Sequence, residues 1–268
     1  MNDFTFLSPT RLIVGHKSWE QTGEWIKKYG GTRVLVHHDS GYCKASGLVD
    51  KIIDTIRASG LAVIELGGVV PNPHLSLVYE GIELCRRENV DFLLAIGGGS
   101  VIDSTKAIAM GLKYDGDVWD LFASNESGAA KAVETEPCMP VGVVLTMAAT
   151  GSEASNSCVI TKVDEQLKRF CDNDLHRPVF AIEDPELTMT LPKFQTSCGV
   201  IDIMSHSMER YFSCEPGGNE LTDRLCEAIF HTCMDCGRKL MDDPTDYDVV
   251  VASGEQVTAG LLAMTLQA

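Results

Sequence analysis

The stretch DFLLAIGGGSVIDSTKAIAMGL, residues 91–112, decides the fold of this chain. Its apolar first part, 91–96, predicts a buried strand, and the run that follows GGGS predicts a helix. A glycine turn between a strand and a helix is typical of phosphate binding, because glycine lets the backbone approach a ligand and the helix N-terminus offers unpaired N–H groups. The pattern is not G-x-G-x-x-G, so a tight turn without a ligand is the alternative interpretation.

Strands and helices alternate on both sides of this stretch. Upstream, the sequence predicts a hairpin around Ser8 and Pro9, a helix at 17–29, strands at 33–38 and 61–66, and helices at 48–59 and 74–88; downstream, it predicts a loop at 123–137 and a strand at 139–146. Such alternation is typical of a parallel sheet covered by helices. From about residue 190 the apolar period becomes helical, so we expect an α/β domain at 1–188 and an all-helical domain at 189–268.

Charge and composition limit the classes of partner. The net charge is −16, from 22 basic and 38 acidic residues, and this excess of negative charge disfavours nucleic acids and anionic membrane surfaces. No apolar segment approaches the ~20 residues of a membrane span, and the N-terminal residues do not have the pattern of a signal peptide. We therefore expect a cytoplasmic protein.

The ten cysteines are predicted to be free thiols. Cys85, Cys158, Cys198 and Cys226 lie within apolar or helical patterns, where a thiol packs as a small apolar group. Cys233 and Cys236 form a single C-x-x-C pair without a second pair or a following histidine, so a packing role is favoured over a zinc site.

A helix predicted at 193–213 carries Asp202 and His206 four residues apart, which places both side chains on one face. The rest of this helix is largely apolar or small, so we expect it to be buried. A buried carboxylate and imidazole need a partner, and a divalent metal suits both. The alternative is a hydrogen-bonded Asp–His pair that only satisfies itself.

Two other strand ends carry candidate binding residues. Asp39 follows the strand at 33–38, where a carboxylate can accept the hydroxyls of a ribose and would repel a 2′-phosphate, which favours NAD over NADP. Its alternative role is an Asx-turn with Gly41. Thr146 ends the strand at 139–146, and the following 152–155 segment either lines a cleft or forms an ordinary first helical turn.

Taken together, VVPNP, FLLAIGGGSVIDSTKA, VGVVLTMAATGSEAS, VITKVDEQLKR and GVIDIMSHSMERYF resemble the iron-containing (group III) alcohol dehydrogenases, in particular the NAD(P)H-dependent butanol dehydrogenase branch. The resemblance covers essentially the whole chain. It implies a dehydroquinate synthase-like architecture, with a dinucleotide-binding α/β domain, a helical domain, and metal and substrate between them. It also implies hydride transfer between NAD(P)(H) and a small alcohol or aldehyde, Fe(II) or Zn(II) as Lewis acid, and a homodimer.

The resemblance assigns roles to residues of this sequence. Asp202 and His206 correspond to the first two metal ligands, through which they would act in catalysis. The residues that correspond to cofactor contacts are Gly97, Gly98 and Ser100 for the pyrophosphate, with Gly99 between them, Asp39 for the adenosine ribose, Asp103 after the glycine turn, Lys168 near the ribose or phosphates, and Asn72, Thr146 and Leu187 elsewhere.

The sequence departs from the family at its C-terminal end. Two further histidine ligands would be expected beyond 258–268, where this chain stops, so we expect a C-terminally truncated version of a longer protein. Three functions follow as hypotheses: a metal-dependent alcohol/aldehyde oxidoreductase favouring NAD(H), a catalytically inactive nucleotide-binding fragment, and a glycerol- or sugar-phosphate-type dehydrogenase of the same fold. The third would need a basic cluster near the Asp202 helix, and the sequence indicates none.

Overall fold

The structure, a computed structural model, describes residues 7–122, 138–212 and 220–243. Its centre is a six-stranded sheet in the order β1-β8-β5-β4-β2-β3, in which each pairing is parallel. The strands are β1 (Arg11–Val14), β2 (Arg33–Asp39), β3 (Ala62–Val69), β4 (Phe92–Gly97), β5 (Val141–Leu145) and β8 (Phe180–Glu183). The predicted parallel sheet is confirmed.

Helices cover both faces of the sheet. They are α1 (Thr22–Lys28), α2 (Tyr42–Ala45), α3 (Leu48–Ala58), α4 (Leu75–Glu88) and α5 (Gly99–Gly111). One face of the sheet packs on α1 and α3 through Val36, Leu94 and Ile96, whereas the alternating residues Leu35 and Leu93 pack towards α4 and α5. Because both faces are covered, β4 is buried along its whole length, which explains its continuous apolar sequence.

The order of the strands creates a crevice between β2 and β4. From β2 the chain moves outwards to β3, then crosses back over β2 to β4 and continues in the opposite direction to β5. Ligands of open parallel sheets bind outside the carboxyl ends of the strands at such a reversal. Asp39 ends β2 and Gly97 ends β4, so these two predicted site residues flank the crevice.

The sequence analysis assigned no element to an antiparallel hairpin, β6 (Ser157–Lys162) and β7 (Leu167–Asp172), or to β8. The hairpin packs on α5 through Cys158 and Ile160. It directly follows a non-helical turn at 152–155, so the interpretation of that segment as a first helical turn is wrong. The outward residues of the hairpin are a mixture of types, with Phe170 exposed between Lys168 and Asp172, which obscures the strand pattern in the sequence.

The helical part consists of α6 (Lys193–Tyr211) and α7 (Glu220–Asp242), packed against each other through Ile203 and Ile229. The expectation that α6 is buried is only partly right: Ile203 is 5% exposed, but Ile201 is 60% exposed and Met208 38%. One stripe of α6 faces α7, and no other described helix covers the opposite stripe. The apolar composition of α6 therefore overstated its burial.

No disulfide links the nine cysteines in the described ranges, as predicted, and Cys233 and Cys236 are buried on α7. Cys198 is exposed, so its predicted packing role is wrong. The second arm of the predicted N-terminal hairpin is β1, which pairs with β8, and most of the first arm lies outside the described residues. The predicted loop at 123–137 and the segment 258–268 also lie outside them.

Of the helices in the described ranges, none has both the length and the apolar character needed to cross a bilayer.

Candidate active site

The glycine turn joins β4 directly to α5. No side chain caps the N-terminus of α5, so its first N–H groups point away from the helix without an internal partner. A Cβ at Gly97 would lie 2.5 Å from Val101 Cγ2 and one at Gly99 would lie 2.5 Å from Thr150 Oγ1, whereas one at Gly98 would meet nothing nearer than 3.5 Å. Packing therefore explains two of the glycines, and Gly98 leaves backbone open to a ligand.

A cleft of about 770 Å³ extends from this turn to α6. Its walls are formed by the α5 N-terminus, the segment after β3, the 150–159 segment, strand β7 and the cleft-facing side of α6. The predicted site residues on these walls are Asn72, Gly99, Ser100, Asp103, Lys168, Asp202 and His206. The fold thus brings the candidate phosphate turn and the candidate metal ligands to one space.

A smaller cavity of about 320 Å³ contains two further predicted cofactor contacts, Thr146 and Leu187. Tyr42, Lys17 and Lys51 also line this cavity. We refer to it as the smaller cavity.

Asp39 is not among the described residues that line either cavity. Its Oδ1 accepts hydrogen bonds from the backbone N–H groups of Gly41 at 3.3 Å and Cys43 at 3.1 Å. This geometry corresponds to the alternative interpretation, an Asx-type turn with Gly41. Its contact with a ribose stays a prediction.

Behind the turn, the half-buried Asp103 and the buried Lys106 both form hydrogen bonds with the 152–159 segment. Asp103 accepts hydrogen bonds from the Ser152 hydroxyl and, at 3.0 Å, from the N–H of Val159. Lys106 Nζ donates to the carbonyl of Ser155 at 2.9 Å, and it donates to a second carbonyl on β6 at 3.0 Å. Burial raises the pKa of Asp103 and lowers that of Lys106, and each charge offsets part of the shift of the other.

This network connects α5, which carries the glycine turn, to the opposite wall of the cleft. Lys106 lies in the stretch FLLAIGGGSVIDSTKA, but no role was predicted for it from the sequence. The i, i+3 spacing of Asp103 and Lys106 on an apolar helix was the available signal, because a charge on a buried helix needs a partner.

Lys168 reaches the cleft from β7. Its Nζ donates to Asn72 Oδ1 at 2.9 Å. Asn72 has a φ of 58°, in the left-handed region that asparagine tolerates better than most residues. The two predicted cofactor contacts are thus held together at the rim of the cleft.

The Asp202–His206 pair lies on the cleft side of α6. Asp202 Oδ1 and His206 Nε2 are 3.9 Å apart, and the side chains are 42% and 35% exposed. That distance is too long for a hydrogen bond, so the pair is not the self-satisfied pair of the alternative interpretation, and it is not deeply buried.

The donor chemistry of this pair fits a divalent metal, because carboxylate oxygen and imidazole nitrogen are both common ligands of Fe(II) and Zn(II). The number of donors does not complete a site. Within the described ranges, no group of three or more His, Cys, Asp or Glu side chains is arranged to hold a metal ion. As candidate ligands, Asp202 and His206 therefore supply two donors, and the described residues add no third.

The cleft also contains basic residues that the sequence analysis did not find near α6. Lys168, Arg177 and Arg210 line it. Arg177 is engaged within the protein, since it pairs with Asp174 at 3.0 Å and donates to the carbonyl of Ala154 at 2.8 Å. The prediction that no basic cluster lies near α6 is therefore wrong.

A pair of buried carboxyl groups was also missed. Glu183 ends β8, and Glu153 lies in the turn after β5. Burial, together with the nearby Glu153, raises the pKa of Glu183 to about 8. Burial also raises the pKa of Glu153. Only the tertiary structure brings these two groups together.

Comparison with known proteins agrees with this geometry. The sequence pattern of the iron-containing alcohol dehydrogenases matches residues 9–185. The chain is 42% identical to a probable NADH-dependent butanol dehydrogenase of Bacillus subtilis (strain 168), over 98% of this chain and 66% of that protein. It is 34% identical to an NADPH-dependent aldehyde reductase of Escherichia coli (strain K12), over 98% of this chain and 66% of that protein.

The fold is also similar to a solved structure of the family. The crystal structure of an NADH-dependent butanol dehydrogenase from Thermotoga maritima superposes with a TM-score of 0.90 at 34% identity, covering 99% of this chain and 64% of that one. The chain thus spans about two thirds of the length of the relatives it matches. On this sequence match and this fold, the chain belongs to the iron-containing alcohol dehydrogenase family.

Proposed function

We propose that this chain forms the nucleotide-binding part, and half of the metal site, of an oxidoreductase that interconverts primary alcohols and aldehydes with NAD(P)(H). The observation that supports it is the shared cleft, in which the uncapped N-terminus of α5 and the Asp202–His206 pair line one space. The relatives named NADH-dependent butanol dehydrogenase and NADPH-dependent aldehyde reductase support the same reaction class.

In the proposed function, some residues of the cleft bind the cofactor and the metal, and others hold the walls of the cleft in position. The N–H groups at the start of α5 bind the pyrophosphate, since a helix N-terminus attracts anions. Lys168 adds a positive charge at the rim, and Asp202 and His206 hold the metal, which as a Lewis acid would polarise the oxygen of the alcohol or aldehyde. Asp103 and Lys106 keep the two walls at a fixed separation.

We propose NADH as the favoured cofactor. Asp39 ends the strand beside the glycine turn, where a carboxylate favours an unphosphorylated ribose. The name of the Bacillus subtilis relative agrees with NADH, and the name of the Escherichia coli relative shows that NADPH also occurs in the family.

The test uses binding and activity together. We expect NADH oxidation with butanal to require added Fe(II) or Zn(II), and Asp202→Ala to lower it by more than about a hundredfold, since a lost ligand costs at least as much as a lost supporting contact. Asp235→Ala, which removes an exposed carboxylate from α7 outside the cleft, is the matched control. Activity that survives Asp202→Ala would remove the metal assignment.

A second candidate is a nucleotide-binding fragment without catalysis. The observation that favours it is the incomplete ligand set among the described residues. Isothermal titration calorimetry separates the two: NADH binding without Zn(II) binding favours the fragment, and binding of both favours the enzyme.

The glycerol- or sugar-phosphate dehydrogenase ranks lower, although Lys168, Arg177 and Arg210 line the cleft. Arg177 is held by Asp174 and Lys168 by Asn72, so these two cations already have partners. Competition of glycerol 3-phosphate with butanal would favour it.

We also propose a cytoplasmic homodimer. Among the described strands, β1 lies at an edge of the sheet, and its outer backbone edge can pair with a second copy. Light scattering coupled to gel filtration tests this: a mass of about 29.1 kDa would contradict it.

A further inference from the structure

The smaller cavity is lined by two lysines to which the proposed function assigns no role. Lys17 and Lys51 line it together with Thr146 and Leu187. The last two are predicted cofactor contacts, and the candidate pyrophosphate site at the start of α5 lines the larger cleft instead, so the adenosine end of the dinucleotide is the part that would reach this cavity. The lysines therefore stand beside that end of the ligand.

Neither lysine is neutralised by a neighbour. Among the described residues, the ammonium groups of Lys17 and Lys51 make no ion pair or side-chain hydrogen bond. The carboxylate on the cavity wall, Glu186, is engaged by His16 Nδ1 at 2.8 Å. In a chain with a net charge of −16, two unpaired cations at one cavity favour an anionic group there.

Lys17 also has an unusual backbone conformation. Its φ of 53° lies in the left-handed region, which disfavours side chains larger than those of asparagine and glycine. Glycine would be the ordinary residue at this position. A lysine there suggests that its charge has a use.

The carboxylate of Asp39 is expected to repel a 2′-phosphate, but its hydrogen bonds and position weaken that repulsion. Its carboxylate accepts N–H groups of Gly41 and Cys43, and Asp39 is not among the described residues that line the smaller cavity. Backbone N–H groups offset part of a negative charge. The repulsion that Asp39 exerts on a 2′-phosphate is therefore reduced.

We propose that Lys17 and Lys51 form a binding site for the 2′-phosphate of an adenine dinucleotide, so that the chain takes NADPH as well as NADH. The proposal rests on the proposed function, because it requires that the chain binds an adenine dinucleotide with its pyrophosphate at the start of α5. It goes beyond it by assigning cofactor selectivity to two residues outside the glycine turn and outside Asp39.

The test measures binding of nucleotide fragments to the chain by isothermal titration calorimetry, without metal or substrate. The ligands are 5′-AMP, 2′,5′-ADP and its isomer 3′,5′-ADP. We expect 2′,5′-ADP to bind more tightly than the other two. Lys17→Met and Lys51→Met should each weaken it by about three- to tenfold, as for exposed charge-assisted contacts, and change binding of 5′-AMP less than twofold.

Matched variants separate charge from folding. Lys113→Met removes an exposed lysine that lines neither cavity and should leave both affinities unchanged. Lys17→Gly removes the charge and relieves the left-handed backbone, so the chain should be no less stable while 2′,5′-ADP binding still weakens.

The outcomes are distinct. If the Lys17 and Lys51 variants lose affinity for 5′-AMP and 2′,5′-ADP equally, or lose affinity for neither, the 2′-phosphate site is overturned and the proposed function is unaffected. Failure of the unmodified chain to bind 5′-AMP would overturn both the adenosine placement and this site.

Discussion

The substitution Gly98→Ala separates a phosphate-binding turn from a tight turn that only connects two elements. Gly98 has φ −92° and ψ −168°, a conformation open to any residue, and a new Cβ would lie 3.5 Å from Met147 Cβ and Cε. That distance is an ordinary van der Waals contact. We therefore expect the free energy of unfolding to rise by less than about 1 kcal/mol, because alanine reduces the conformational freedom of the unfolded chain.

The effect on binding should be much larger. A methyl group at this position would keep the pyrophosphate away from the backbone N–H groups that start α5. Losing one charge-assisted contact raises the dissociation constant by about tenfold or more, which corresponds to ~1.4 kcal/mol. Gly98→Ala should thus have a nearly normal melting temperature and greatly weakened NADH binding.

Gly97→Ala is the matched control, because its Cβ would lie 2.5 Å from Val101 Cγ2 and 2.9 Å from Val101 Cβ. That contact requires a shift in the packing, so we expect a loss of about 1–3 kcal/mol in stability. Thermal unfolding and NADH calorimetry measure both quantities on each variant. If Gly98→Ala bound NADH as tightly as the unmodified chain, the turn would not bind the phosphates and the connecting-turn interpretation would be right.

Other substitutions test the buried groups. Lys106→Met should cost about 1–3 kcal/mol in thermal unfolding, because it leaves the carbonyls of Ser155 and Ser157 without their donor and removes the positive charge near Asp103; adding Asp103→Asn should recover part of the loss. The raised pKa of Glu183 predicts that the free energy of unfolding falls as the pH rises from about 4.5 to about 8, because in this range the unfolded chain has lost a proton that the folded chain keeps. Above about pH 8 this contribution levels off. In urea titrations Glu183→Gln should remove this slope, and an unchanged slope would contradict the assignment. Iodoacetamide should modify the exposed Cys198 before the other described cysteines, since burial raises the pKa of many of the other thiols, including those of Cys85 and Cys158. If peptide mass spectrometry finds a buried cysteine labelled first, the burial of that cysteine is contradicted.

Much of the α/β part could be predicted because its strands and helices have local signals. Strand β4 is covered on both faces, so its sequence is uninterrupted apolar, and α3 buries one stripe that repeats with the helical period. The hairpin β6–β7 has one face towards α5 and the other towards the cleft, where Lys168 stands. Its outer face combines charged and apolar residues, such as Lys168 and Phe170, so its sequence signal is weaker and the hairpin was not predicted.

The candidate site was harder to predict because it depends on which residues come together. The spacing of Asp202 and His206 gave their common helix face, but nothing in α6 itself determines how much of that face is covered. The Asp39 carboxylate has two possible partners, a ligand and its own turn, and the sequence does not choose between them. Lys106 finds its acceptors about 50 residues away, on elements that only the fold places beside it.

The contact between α6 and the segment after β5 has a consequence for the width of the cleft. A Cβ at Gly199 would lie 2.7 Å from the carbonyl oxygen of Ala148, so the two backbones touch because a methyl group is missing. Any larger residue at position 199 would act as a wedge. It would tilt α6, which carries Asp202 and His206, away from the N-terminus of α5 and widen the cleft without replacing any residue that lines it.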